Sequence, residues 1–216
     1  MRKPHSWQEV KMSAPQSNQW QLLWRVLRWL GTVVVIMAVV FGVKMVLGLF
    51  LSNDQVAGNS MQPTLKNGDR LVVVTQTSIK RNAIVTLKSP IQADEQYIKR
   101  VIGLPGDTVS VKNDQLYING KRTAQPYLKT SFIEKSLRLS EVQSGAVTGG
   151  QHFTPNFSLA TLKATQTARV PKGSYFVLGD NRPVSYDSRK FGFVKRSDIY
   201  GVVKWRYWPL NQMKTF

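Results

Sequence analysis

The feature that most limits how this 216-residue chain folds is "WLGTVVVIMAVVFGV", fifteen uncharged and mostly aliphatic residues from Trp29 to Val43. Past Lys44 the apolar run resumes as "MVLGLFL", to Leu51. A helix about twenty residues long, starting near Leu23, spans a bilayer if Arg28 and Lys44 extend their charges toward the headgroups. A buried core helix is the alternative, but no polar face recurs at helical spacing. A cleaved leader fits less well, because Ala57 and Gly58, the small residues available for a cleavage site, lie beyond polar Asn53 and Asp54. The expectation is a transmembrane helix over residues 22–46, preceded by a polar tail over residues 1–21. Arg2, Lys3, Lys11, Arg25 and Arg28 stand against the single acid Glu9 on that side. The amino end is therefore expected in the cytoplasm and residues 47–216 outside it.

Charge and composition narrow the partners. The chain carries a net +18. The part beyond Lys44 keeps 24 basic and 11 acidic residues, near +13, so an anionic surface or polymer is an eligible partner. Nucleic acid is not expected, since most of it lies across the membrane from that part. No cysteine is present, which excludes disulfides, thiolate metal sites and cysteine nucleophiles but leaves the compartment open.

After Leu51 the pattern changes to short β-branched runs between turn residues. "DRLVVVTQ", "AIVTLKS", "YIKRVIGL", "YFVLG" and "YGVVKWRYW" read as strands. "TVSVKNDQLYINGK" reads as a hairpin about Asn113 and Asp114. The expected fold is mainly β: one N-terminal transmembrane helix followed by an antiparallel β-rich domain. Between about 126 and 170 the pattern weakens. That excursion is either a loose surface insertion or a small subdomain with strands of its own.

Ser60, in "GNSMQPTL", is a candidate nucleophile only if a base lies within reach. The two histidines are poor choices, His5 being in the tail and His152 in the irregular stretch. Lysine is the other option. Neutralising it at pH 7 costs about 4.6 kcal/mol from its reference pKa, so it must be buried. Lys99 in "YIKRVIG" sits among apolar neighbours, sharing a strand face with Tyr97 and Val101. Neighbouring Arg100 does not deprotonate and is no base. On pattern alone, a strand lysine that snorkels to the surface is the plainer reading.

Three stretches in order, "GNSMQPTLKNGDRLVV", "YIKRVIGLPGDTV" and "YFVLGDNRPVSYDSRKFGFV", resemble the signature boxes of type I signal peptidases. These are membrane-bound serine proteases that remove signal peptides from exported proteins. The resemblance implies Ser60 as nucleophile and Lys99 as general base. The third box supplies Gly179, Asp180, Asn181, Arg182, Ser185, Asp187, Ser188 and Arg189. Of these, Ser185 is expected to hydrogen-bond the lysine amine, and Asp187 and Arg189 to form a structural ion pair. The Ser60 N–H is the expected oxyanion donor. Gly58 stands where many bacterial homologues carry a serine donor, which resembles the Gram-positive branch; Pro183 and Val184 replace residues that are often polar. The resemblance further implies apolar pockets for small side chains one and three residues before the cut, matched to Val56, Met61, Leu65, Tyr97 and Ile98. It implies no metal and no cofactor. The expected partners are signal peptides of preproteins and the lipid bilayer. The alternative is a non-catalytic membrane-anchored β-domain that binds anionic envelope polymer or lipid.

Overall fold

The computed structural model describes residues 17–92, 94–144 and 152–216, so His5 and most of the polar tail lie outside the described residues. The chain divides between Gly48 and Leu49 into two units. In the first, the apolar run forms helix α1, Ser17–Phe50, 34 residues long. At 1.5 Å per residue that is about 51 Å, more than a hydrocarbon core requires. Its stretch Trp20–Phe50 is long and apolar enough to cross a membrane.

The second unit is built on antiparallel strands. They are β1 (Leu51–Gln55), β2 (Arg70–Val74), β3 (Ile84–Lys88), β4 (Gln96–Gly103), β5 (Val109–Lys112), β6 (Gln115–Ile118) and β7 (Lys121–Thr123), followed by helix α2 (Thr130–Ser144). Then come β8 (Phe157–Ser158), β9 (Ser174–Leu178), helix α3 (Ser188–Phe191), β10 (Val194–Lys195), β11 (Ile199–Trp208) and β12 (Lys214–Thr215). The larger sheet runs β1-β2-β11-β3-β4-β9-β10, with β12 beside β11; the smaller runs β7-β6-β5-β8. Asn113 and Asp114 both take positive φ, 48° and 62°, between β5 and β6. That pair of left-handed residues matches the twist of the strands it joins.

Burial follows the pairing. β4 lies inside the large sheet, and from Lys99 to Gly103 every residue is buried. Its pairing with β3 covers Gln96 to Arg100, whereas pairing with β9 begins only at Arg100 opposite Leu178. Residues 96–99 therefore keep one strand edge free. Three apolar clusters hold the unit together. Val56, Met61, Leu65, Leu71, Val73, Ile84 and Val203 form the one beneath the Ser60 turn. Val85, Leu87, Val101, Val177 and neighbours form the second. The third joins the small sheet to Ile102, Phe176 and Leu178.

The excursion at 126–170 is more than a loose insertion. It contributes α2, and β8 extends the small sheet through Ser110↔Ser158 and Val111↔Phe157. The half-buried face of α2 includes Phe132, Ile133, Ser136 and Leu137. Phe132 meets Phe153 edge-on at 6.2 Å between centroids.

Candidate active site

Ser60 sits on a tight turn leaving β1. Leu65 N–H donates to Met61 O at 2.9 Å, and Val56 N–H and Gly68 N–H close the base of the loop on Asp69 O and Val56 O, both at 2.9 Å. Met61 and Leu65 are sunk in the core and pin the turn from below. Arg206 ties down its far side, donating to Thr64 O at 3.1 Å and to Asp69 Oδ2 at 2.9 Å. From the third box, Asn181 N–H donates to Ser60 O at 3.0 Å, and Asn181 Nδ2 to Asn59 O at 3.2 Å. The Ser60 N–H has no acceptor among the described residues. It is left as a free donor beside the hydroxyl.

Lys99 Nζ donates to Ser60 Oγ at 3.0 Å. The residue is only 4% exposed, although at this point β4 pairs only with β3, through Val85. Burial pushes its pKa down to about 8, while the negative charge of Asp187 works the other way. The Tyr97 ring, two residues along the same strand face, lies 4.9 Å from Nζ and also favours the ammonium form. Burial is the larger effect. About a tenth of the lysine is therefore neutral at pH 7, a fraction no solvated lysine approaches.

The turn after β9 supports both residues. Asp187 is fully enclosed; its carboxylate takes Arg189 Nε and an Arg189 terminal nitrogen at 2.8 Å each, plus Gly179 N–H at 3.0 Å. The charge-assisted fork compensates a carboxylate that no water reaches. Gly179 is required by packing: a Cβ there would fall 2.2 Å from Ser185 Oγ and 2.6 Å from Ser60 O. The expectation for Ser185 is corrected in one respect. Its Oγ is buried without a hydrogen-bond partner among the described residues, so the bond to the Lys99 amine is not made. The hydroxyl is crowded against the Gly179 backbone instead.

Several contributors were given no role from sequence. Arg100, set aside as a base, grips Asp180 through Nε at 2.8 Å and a terminal nitrogen at 2.6 Å, and donates to Asn82 O at 2.8 Å. Thr64 Oγ1 donates to the same carboxylate at 2.5 Å. One buried ion pair thus joins all three boxes. Arg182 is also buried and spends its donors on Gly179 O at 3.0 Å, Thr154 Oγ1 at 3.1 Å and Gln125 Oε1 at 2.6 Å. The only sequence signal was two cations, Lys99 and Arg100, adjacent on an apolar strand, with acids in the third box to receive one of them.

Ser60 and Lys99 open onto a cleft of about 850 Å³. Val56, Met61, Tyr97 and Ile98 all border it. Leu65 does not, and that expectation is corrected: the side chain is fully buried, packed in the same core cluster as Met61. Gly58 borders the cleft at φ +86°, with open space where a Cβ would point. Helix α2 adds Phe132, Lys135, Ser136 and Leu139 to the wall, so the excursion shapes the site. His152 is elsewhere, its Nδ1 3.4 Å from Asp114 Oδ2.

The signal peptidase model of peptidase family S26 matches residues 26–208. The chain is 45% identical to signal peptidase I of Bacillus caldolyticus over 166 residues, 74% of this chain and 81% of the other. It is 35% identical to signal peptidase IB of Staphylococcus aureus strain COL over 196 residues, 88% of this chain and 93% of the other. A solved signal peptidase I from Enterococcus faecalis V583 shares 42% identity over 58% of this chain and 97% of its own, with a TM-score of 0.49. A match spanning all three boxes and the strands between them places this chain in the signal peptidase family, peptidase S26.

Proposed function

We propose that this chain is a membrane-anchored serine endopeptidase that cleaves N-terminal signal peptides from exported preproteins after small residues in the A-x-A pattern. The observation that carries the reading is the 3.0 Å contact of Ser60 Oγ with a buried lysine whose pKa burial has pushed down to about 8. In the neutral form the same contact reverses, the hydroxyl donating to the amine lone pair. Lys99 takes the Ser60 proton as Oγ attacks the carbonyl carbon, and the ammonium returns that proton to the leaving amine. Water then releases the acyl group, with Lys99 again as base. The free Ser60 N–H faces the charge that develops on the carbonyl oxygen.

The free edge of residues 96–99 suits an extended peptide, which gains backbone hydrogen bonds by adding a strand there. Val56, Met61, Tyr97 and Ile98 offer it shallow apolar walls, which accept alanine and exclude bulk. The basic residues on the amino side of the apolar run support an amino end in the cytoplasm and residues 47–216 outside. The anchor then confines the site to the surface where signal peptides emerge. The non-catalytic alternative is not favoured, since simple polymer binding gives no reason to bury a lysine against a serine.

The test is cleavage of a preprotein bearing Ala-x-Ala before the cut, in detergent. Ser60→Ala and Lys99→Ala are each expected to abolish it, while the fold is retained. Cleavage that survives both changes would sink the reading.

A further inference from the structure

The Ser60 N–H, the free donor beside the hydroxyl, belongs to the peptide unit whose carbonyl is that of Asn59. A peptide unit is planar, so its C=O and N–H point in opposite directions and turn together. Whatever holds Asn59 O therefore aims the Ser60 N–H. Two donors hold it, each at 3.2 Å: the Gln62 N–H from within the turn and Asn181 Nδ2 from the third box. The Asn181 backbone N–H takes the next carbonyl, Ser60 O, at 3.0 Å. One residue thus clamps both peptide units that flank Ser60. Asn181 is buried at the border of the cleft. It is itself fixed, because Arg100 grips the carboxylate of Asp180 before it and Arg182 after it is buried. On the far side of Asn59, Gly58 at φ +86° has open space where a Cβ would be, so no side chain braces the peptide from there.

We propose that Asn181 is a positioning residue for the reaction: its side-chain amide fixes the Asn59–Ser60 peptide plane and so aims the Ser60 N–H at the oxygen that takes up charge as Oγ attacks. The inference rests on the peptidase reading above and deepens it. Gly58 brings no side-chain donor, so the direction of the Ser60 N–H matters more. A peptide next to a glycine also tips with little resistance. The Gln62 N–H comes from the same turn and moves with it, whereas Asn181 lies 122 positions from Asn59 and ties the turn to the rest of the unit. A carbonyl that accepts hydrogen bonds also draws electron density through its amide, which makes the N–H at the other end a stronger donor.

The test uses the full chain in detergent, a preprotein with Ala-x-Ala before the cut, and two short ligands ending in Ala-x-Ala, one a peptide aldehyde and the other the matching peptide alcohol. On the aldehyde, Ser60 Oγ bonds the carbonyl carbon, the serine proton passes to Lys99 and the aldehyde oxygen takes the negative charge. The alcohol only occupies the cleft. Asn181→Ala is expected to lower kcat about tenfold with KM within about twofold, and to weaken the aldehyde by about the same factor while leaving the alcohol unchanged. The midpoint of its rate against pH is expected to stay where it is in the wild type, because the change does not touch Lys99. Asn181→Asp keeps the shape and puts an acceptor in place of the donor; it is expected to lose at least as much in kcat and aldehyde affinity, and decides the matter if Asn181→Ala fails to fold. Aldehyde and alcohol weakened alike, an unchanged kcat, or a displaced midpoint in Asn181→Ala overturns this inference alone. A wild-type chain that does not cleave the preprotein overturns the proposed function as well.

Discussion

The guanidinium of Arg100 holds the carboxylate of Asp180 at two points, 2.8 and 2.6 Å apart, both groups buried. Arg100 follows Lys99 on β4, and Asp180 precedes Asn181, whose N–H holds the carbonyl of Ser60. The pair therefore couples the strand of the proposed base to the turn of the proposed nucleophile. Tyr127 closes one face of it, the guanidinium carbon lying 3.9 Å from the ring centroid.

Removing one partner leaves the other charged and without water. Asp180→Asn is expected to destabilise the β-rich unit by about 3–5 kcal/mol and to lower kcat well beyond what the lost stability accounts for. Urea unfolding and steady-state assays at a temperature where the variant is folded separate the two effects.

Lys99 supplies a pH dependence of known sign. Activity is expected to rise with pH through about 8, where the folded-state amine loses its proton, and to level off above it. Stability follows the same direction. Between about 8 and the unfolded value of 10.5 the unfolded chain binds the extra proton, so this residue's contribution improves as pH rises. Lys99→Met is expected to abolish cleavage yet stabilise the fold at pH 7 by about 2–3 kcal/mol. Thermal unfolding of the two proteins at pH 7 and pH 9.5 checks this, the gap narrowing at the higher pH.

Gly179→Ala tests how tightly the third box is packed against Ser60. The added methyl meets the Ser60 carbonyl oxygen, a backbone atom that cannot turn aside as a side chain does. A loss of about 100-fold in kcat is expected, with a stability cost of about 1–3 kcal/mol. Near-normal kcat in this variant would mean that the turn moves freely.

Helix α2 is expected to act through substrate binding. Leu139 is exposed and borders the cleft. Leu139→Asp should raise KM for a preprotein several-fold with little change in unfolding temperature, because the side chain buries little surface in the free protein. An unchanged KM would remove α2 from the substrate's path.

Some of this was written into short stretches of chain. The apolar run around residues 29–43 permits little besides a helix fit for lipid, because its backbone polar groups must satisfy one another there. The β5–β6 hairpin follows from two adjacent residues that tolerate positive φ between alternating strands. Ser60 and Lys99 were legible as candidates, since residue type and apolar surroundings are local properties.

Other features depended on contacts between residues far apart in sequence. Lys99 pairs with Val85 of β3, and its 3.0 Å contact with Ser60 spans 39 positions. Nothing near Leu65 distinguishes it from Val56, yet of these two members of one core cluster only Val56 also borders the cleft. The weak amphipathic face of α2 became decisive only when Phe153 and the cleft received it. Periodicity and turn preference are set by neighbours along the chain, so the amino-acid order determined the elements and the candidate chemistry. Desolvation and close approach are set by neighbours in space, and these only the tertiary structure decided.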